Sequence, residues 1–274
     1  MDEPTDVPPH PVPLGLIEPR IGLLQLPAEG AQLFKMMKVE HLLASVDGSY
    51  LHFNRVDSYS DFPGADAHDG AQLPRDRPTN DQSKFEQARH FSAADYYDQA
   101  RARTYACCFS TENSGHIWRE YANGSEHGKV CLVFDFGRLR ARLNATLNPQ
   151  TARLELNGVV CKQFLSVDYG LVRYVDWDRH RANEERLANP IEYTFLKATA
   201  FEREQELRIA LSAIGIGRYV IGGKEIEFPT SIPAPFDFRQ ALNDGTVVRI
   251  ELPADSDFLS QELERRGMGW QRTD

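Results

Sequence analysis

Two carboxylates and a guanidinium fall on alternate positions of the segment FEREQELRI, at Glu204, Glu206 and Arg208. If the segment is a strand, its period of two puts these three on one face. Gln205, Leu207 and Ile209 then take the other. Two ionised carboxylates side by side repel, so they require a cation, a hydroxyl donor or solvent. Such a pair suits a general base, or the gripping of a ribose diol. The plainer expectation is a solvated sheet face on which Glu206 and Arg208 form an ion pair.

A second block, CCFSTENSGHIWREYANG, joins an apolar strand to a short helix through Ser110 and Thr111. Hydroxyls there cap the helix or orient a ligand. Trp118 and Tyr121 lie three apart on one helix face. The spacing reads Trp118 as core, with Ser114 as N-cap, and Tyr121 as core or as a flat ring on which an aromatic ligand stacks. A third block, YLHFNR, ends at Arg55 beside a long polar loop over residues 57–81. A guanidinium at a strand end holds phosphates, or it pairs with Asp57 or Asp61. A metal site is the other chemistry to weigh. His116 with Glu120, plus Asp57, Asp61, Asp66 and His68, supplies oxygen and nitrogen ligands, although no HExxH or paired-Asp motif is present.

The elements that position these groups follow from periodicity. Val39, Leu42, Leu43 and Val46 have helical spacing, and residues 49–55 alternate as a strand. Residues 83–103 read as an amphipathic helix, 104–110 as a strand and 116–122 as a helix. KVCLVFDF is the clearest central strand, with a helix over 135–143 after it. Asn157–Gly158 is a hairpin turn between 153–156 and 159–169. Residues 178–201 read as a long helix interrupted near Pro190. Strands are expected at 219–221, 225–228 and 247–252, and a last helix at 257–266. Strands and helices mix without βαβ alternation, which favours an α+β fold. Residues 1–32 carry seven prolines and form an extended or disordered arm, so a single α+β domain is expected over 33–274.

Composition narrows the classes. Of 274 residues 41% are hydrophobic, which excludes wholesale disorder. No apolar run approaches the roughly 20 residues of a membrane-spanning helix. The acidic, proline-rich start lacks the features of a secretory leader, so a cytoplasmic protein is expected. The net charge of −9 argues against a generic nucleic-acid coat, and leaves local clusters at Arg138, Arg140 and Arg142 and at Arg173, Arg179 and Arg181. Cys107, Cys108, Cys131 and Cys161 have no metal or disulfide spacing and read as small apolar residues.

The blocks resemble an uncharacterised bacterial domain-of-unknown-function family, members of which occur among AbiGi-like abortive-infection proteins of phage defence. The likeness spans roughly residues 33–211. It rests on Leu33–Met36 and LHFNRVDSYSDF, on Cys108, Phe109, Ser110, Ile117, Trp118, Tyr121, Ala122, Gly128 and CLVFD, and on Lys197 with Glu204 to Arg208. The leading block departs from the family pattern at its Pro and Asn-Asp-Pro positions.

A weaker likeness concerns order. Arginine at a strand end, Ser-Thr on a second strand and Glu-x-Glu on a third is similar to the R–S–E arrangement of ADP-ribosyltransferases. That likeness implies an ADP-ribosyltransferase-like core of split, mainly antiparallel sheets flanked by helices, with NAD as substrate and no metal. It implies that Arg55 holds the pyrophosphate, and that Ser110 or Thr111 braces the strands near the nicotinamide ribose. Tyr121 would stack on nicotinamide. Glu206 would bond the ribose 2′-hydroxyl and stabilise an oxocarbenium-like transition state, while Glu204 orients or deprotonates an acceptor on protein or nucleic acid. Only Ser110-Thr111-Glu112 stands where a full Ser-Thr-Ser is expected. Two other functions remain open at this point: a non-enzymatic sensor or binding module of a defence system, and a metal-dependent nuclease.

Overall fold

The computed structural model describes residues 14–61, 65–86, 88–182, 190–213, 215, 218–221, 223–253 and 256–272. Nine strands share the principal sheet: β1 (Gln32–Lys38), β2 (Tyr50–Arg55), β3 (Thr104–Ser110), β4 (Lys129–Asp135), β5 (Ser166–Leu171), β6 (Glu206–Ser212), β7 (Ser231–Pro235), β8 (Val247–Leu252) and β9 (Gln271–Arg272). Their order is β7-β2-β3-β1-β4-β8-β9, and β6 joins β3 to β5. Every pairing is antiparallel except β8 with β9. The fold is therefore a mixed α+β arrangement of antiparallel strands flanked by helices.

The sheet divides at β3. Along one edge β3 pairs with β6 from Glu206↔Ser110 to Ser212↔Thr104. Its other edge is shared. Arg55↔Tyr105 and Asn54↔Ala106 hold β2 at its start, and Phe34↔Ser110 holds β1 at its end. Between these contacts side chains take over the backbone carbonyls. Tyr59 Oη donates to Ala106 O at 3.1 Å, and Lys35 Nζ donates to Cys108 O at 3.1 Å. Helix α1 (Val39–Gly48) links β1 to β2 and buries Val39, Leu42, Leu43 and Val46.

Strand alternation gives the sheet two different faces. Tyr105, Cys107 and Phe109 join Leu207, Ile209 and Leu211 in the main core, with Leu132 and Phe134 of β4. Helix α4 (Phe136–Thr146), capped by Asp135, adds Phe136, Leu139 and Leu143. Ser110, Cys108, Glu206 and Arg208 alternate with these core residues and so take the opposite face. Above that face lies a second cluster built from Leu73, Tyr97, Trp177, Tyr193 and Leu196. Among the described residues no helix is long and apolar enough to cross a membrane.

Several elements differ from the expectations. The helix expected over 83–103 is a strand pair, Lys84–Phe85 with Ala88–Ser92, followed by α2 (Ala93–Arg101). A capping box between Ser92 and Asp95 starts α2 there. The helix expected over 178–201 falls partly on residues 183–189, outside the described residues. Beyond them stand a short helix Pro190–Thr194, a strand Leu196–Ala198 and a 3₁₀ turn Thr199–Glu204. The N-terminal arm expected over 1–32 is described from residue 14 onward. Residues 1–13 lie outside the description, and Leu16, Glu18 and Gln25 bond the edge strand β5. Val167 N donates to Leu16 O, and Glu18 N to Val167 O, both at 2.8 Å. A Cβ on Gly15 would stand 2.3 Å from Leu165 O, so this approach requires glycine.

Trp118 is a further correction. In α3 (Gly115–Glu120) the buried residue is Ile117, at 2% exposure, while Trp118 is only half-buried and donates Nε1 to Asn113 Oδ1 at 2.7 Å. Ile117→Ala is expected to lower unfolding stability by about 2–5 kcal/mol. Trp118→Ala should cost clearly less, although it removes a larger side chain. Urea denaturation of the two variants checks this, and the reverse order would place Trp118 in the core.

Candidate functional site

Arg208 is the middle of the site. It sits on β6 between Leu207 and Ile209 and is 0% exposed. A guanidinium has five N–H donors, and all five are used here. Nε donates to Glu206 Oε1 at 2.7 Å, and Nη2 to Glu206 Oε2 at 3.0 Å. On its other side the fork meets Asp69, with Nη2 to Oδ2 at 2.9 Å and Nη1 to Oδ1. Nη1 also donates to Thr194 O at 2.7 Å. Two bidentate carboxylates thus grip one cation.

Lys197 extends the network. Its ammonium bonds Glu204 Oε2, stands 3.3 Å from Glu206 Oε2 and lies 4.8 Å from the Phe201 ring centre. Glu204 is not on the strand, contrary to the alternation argument. It ends the 3₁₀ turn, and Gln205 adopts φ 44 before β6 starts at Glu206. A non-glycine residue in the left-handed region carries strain that surrounding structure must hold. Here Ser110 and Thr111 supply the restraint. Ser110 Oγ lies 2.8 Å from Glu204 O, Thr111 N donates to Gln205 O at 2.8 Å, and Thr111 Oγ1 donates to the same oxygen at 3.0 Å. This clamp turns both glutamates toward Lys197.

The remaining contacts close the site. Tyr174 Oη accepts from Glu206 N at 2.8 Å, and the Cys108 thiol bonds the Glu206 carboxylate. Tyr121, the C-cap of α3, places its hydroxyl on Glu204 while the residue is 37% exposed. Tyr121 therefore reaches from the buried carboxyl to solvent.

Three carboxylates share two cations, and the imbalance falls unevenly. Burial raises the Glu206 carboxyl, but the adjoining Arg208 and Lys197 charges outweigh it and hold Glu206 well below the usual range. Glu204 has the opposite balance. Burial pushes it up, Lys197 pulls it back, and the Glu206 charge pushes it up again, so it titrates above the ordinary value. Burial also raises Asp69 against the pull of Arg208. Lys197 is held protonated, because the carboxylates outweigh its desolvation. Glu206 is thus the fixed anion, and Glu204 is the acid able to exchange a proton under Tyr121.

Of the residues singled out in the sequence, Ser110, Thr111, Tyr121, Glu204 and Glu206 come together and Arg55 does not. Arg55 pairs with Tyr105 at the start of β3, whereas Glu206 pairs with Ser110 at its end. Five residues of strand separate the two positions by about 17 Å. The Arg55 side chain is taken by Asp57 Oδ1 at 2.6 Å and Phe228 O at 2.5 Å. Asp69 and the role of Lys197 were not anticipated. Among the described residues no three His, Cys, Asp or Glu side chains are placed to hold a metal ion. Asp57 serves Arg55, and His68 stacks on Trp177 with ring centres 5.5 Å apart. The α4 arginines are also engaged: Arg140 with Glu18 and Glu29, Arg142 with Asp244, and Arg138 with Asp244 O.

Glu206→Gln removes the fixed anion between two buried cations, a change expected to cost about 3–5 kcal/mol near neutral pH. The native carboxyl titrates below its unfolded value of about 4.3. Its contribution is therefore complete above that pH and is lost as the pH falls through the folded value. The gap between wild type and variant should narrow steadily below about pH 4.3. Denaturation curves at several pH values check this, and a gap that is constant with pH would show that Glu206 is not held as an anion.

A family model described as a protein of unknown function (DUF2971) matches residues 117–209. That stretch is about a third of the chain, and it holds Tyr121, Lys197, Glu204, Glu206 and Arg208 while leaving Ser110 and Asp69 outside. No curated protein matches the chain. No solved structure matches it.

Proposed function

We propose that this chain is an ADP-ribosyltransferase-like enzyme that takes NAD as substrate, with Glu204 as its proton-exchanging carboxyl. The observation that carries the reading is the asymmetry of the two glutamates. Glu206 is fixed as an anion by Arg208 and Lys197, and Glu204 is raised and bonds Lys197 and the Tyr121 hydroxyl. Two carboxyl groups driven apart in this way suit two roles.

In the proposed reaction the bond from ribose C1′ to the nicotinamide nitrogen breaks, and its electron pair leaves with neutral nicotinamide. Positive charge grows on the ribose, and the anionic Glu206 cluster favours it. An acceptor hydroxyl then bonds C1′ and passes its proton to Glu204, whose raised pKa makes it the better base of the pair. The acceptor hydroxyl takes the position that the Tyr121 hydroxyl holds against Glu204. The exposed Tyr121 ring offers a stacking surface for a planar base. Ser110 and Thr111 act through the backbone of residues 204–205. Arg55 has no part, because it lies at the far end of β3. The abortive-infection likeness suits such an activity in a phage-defence effector.

A second reading is a non-enzymatic binding module. Its support is that every donor of Arg208 is satisfied internally, which is the mark of a structural clasp. Nicotinamide release from NAD separates the two readings. Wild type should release nicotinamide in the presence of protein or nucleic-acid acceptors. Glu204→Gln should lower the rate about 100-fold or more with little change in melting temperature. Wild type that neither binds nor consumes NAD would leave the binding module as the function.

A further inference from the structure

Away from the charge cluster, a groove of about 500 Å³ opens beside the hairpin of Arg153–Leu156 and Val159–Lys162. Its volume lies in the range of small-molecule sites. Leu14, Val160, Phe164 and Ile221 line it with apolar surface, and Arg153 and Lys162 contribute the charges. Val160 is 64% exposed and Leu14 41% exposed.

The two cations are placed against each other. Arg153 and Lys162 are direct cross-strand partners in the hairpin register. Like charges directly opposite on a sheet are destabilising. Among the described residues neither cation forms a close ion pair. Arg153 donates to the carbonyls of Thr151 and Ala152. Glu155 shares their face, two residues from Arg153 on its own strand and diagonal to Lys162. A local pair of cations at the rim of an apolar groove favours an anion there.

We propose that this groove binds a single-chain anionic amphiphile, a long-chain carboxylate, with its chain on Leu14, Val160, Phe164 and Ile221 and its head between Arg153 and Lys162. The chain covers exposed apolar surface, and the head relieves the repulsion between the cations. Titration calorimetry of the full chain with dodecanoate, below its micelle concentration, tests this. Dodecanoate should bind one to one, and 1-dodecanol, with the same chain and no charge, should bind at least tenfold more weakly. Lys162→Glu and Val160→Asp change exposed side chains and should each weaken dodecanoate at least tenfold while leaving the melting temperature of the free protein in place. Absence of binding, equal binding of acid and alcohol, or indifference to both substitutions would overturn the proposal. So would self-association of the free protein that Val160→Asp abolishes, because the groove would then belong to a second copy.

Discussion

One buried guanidinium ties the covering layer to the middle of the sheet. Arg208 projects from the middle of a strand whose other face is core, and it has no route to water. Its charge is tolerated only because Asp69 comes down from the loop after β2 and Glu206 comes from two residues earlier on the same strand. Thr194 O, from the segment above, takes the remaining donor. Three stretches distant in the chain are therefore tied at one point. A buried ion pair of this kind adds little net stability over an apolar contact, yet losing one partner strands the other charges. Such an interaction specifies which loop must sit where.

The chemistry of the site follows from the same constraint. Glu206 is committed to Arg208, so the second cation, Lys197, is left to serve both glutamates. The backbone clamp from Ser110 and Thr111 prevents Glu204 from turning away, and Tyr121 covers it. A carboxyl that is buried, near a like charge and only partly offset by a cation holds its proton above the ordinary carboxylate range. The hydroxyl residues thus act on the main chain, and through it on the placement of Glu204.

Much of this was legible in local sequence. The hydrophobic runs of β4 and β8 and the Asn157–Gly158 turn are local signals, and the structure has them where periodicity puts them. The shared face of Glu206 and Arg208 follows from strand alternation alone. Other features depend on pairing across the chain. Arg55 was grouped with the acids by order in the sequence, but the antiparallel register sends it to the opposite end of β3. Asp69 lies 139 positions from Arg208 and carries no local mark. One signal does point toward it: an arginine inside the buried run ELRIALS needs more negative charge than Glu206 alone supplies. The false helix over 83–103 has a similar lesson, since the Ser92–Asp95 box marks where the true helix begins. Trp118 was misplaced because a six-residue helix is too short for periodicity to choose its buried face.

The central claim is that two neighbouring glutamates are driven in opposite directions, one fixed as an anion and the other poised to take a proton. Carboxyl ¹³C shifts of Glu204 and Glu206, followed through an acid titration of the folded protein, read this directly. The account predicts that Glu206 stays ionised to the limit of folded pH while Glu204 protonates above the ordinary glutamate range. Two overlapping titrations at the ordinary value, or the two residues exchanged in order, would contradict it.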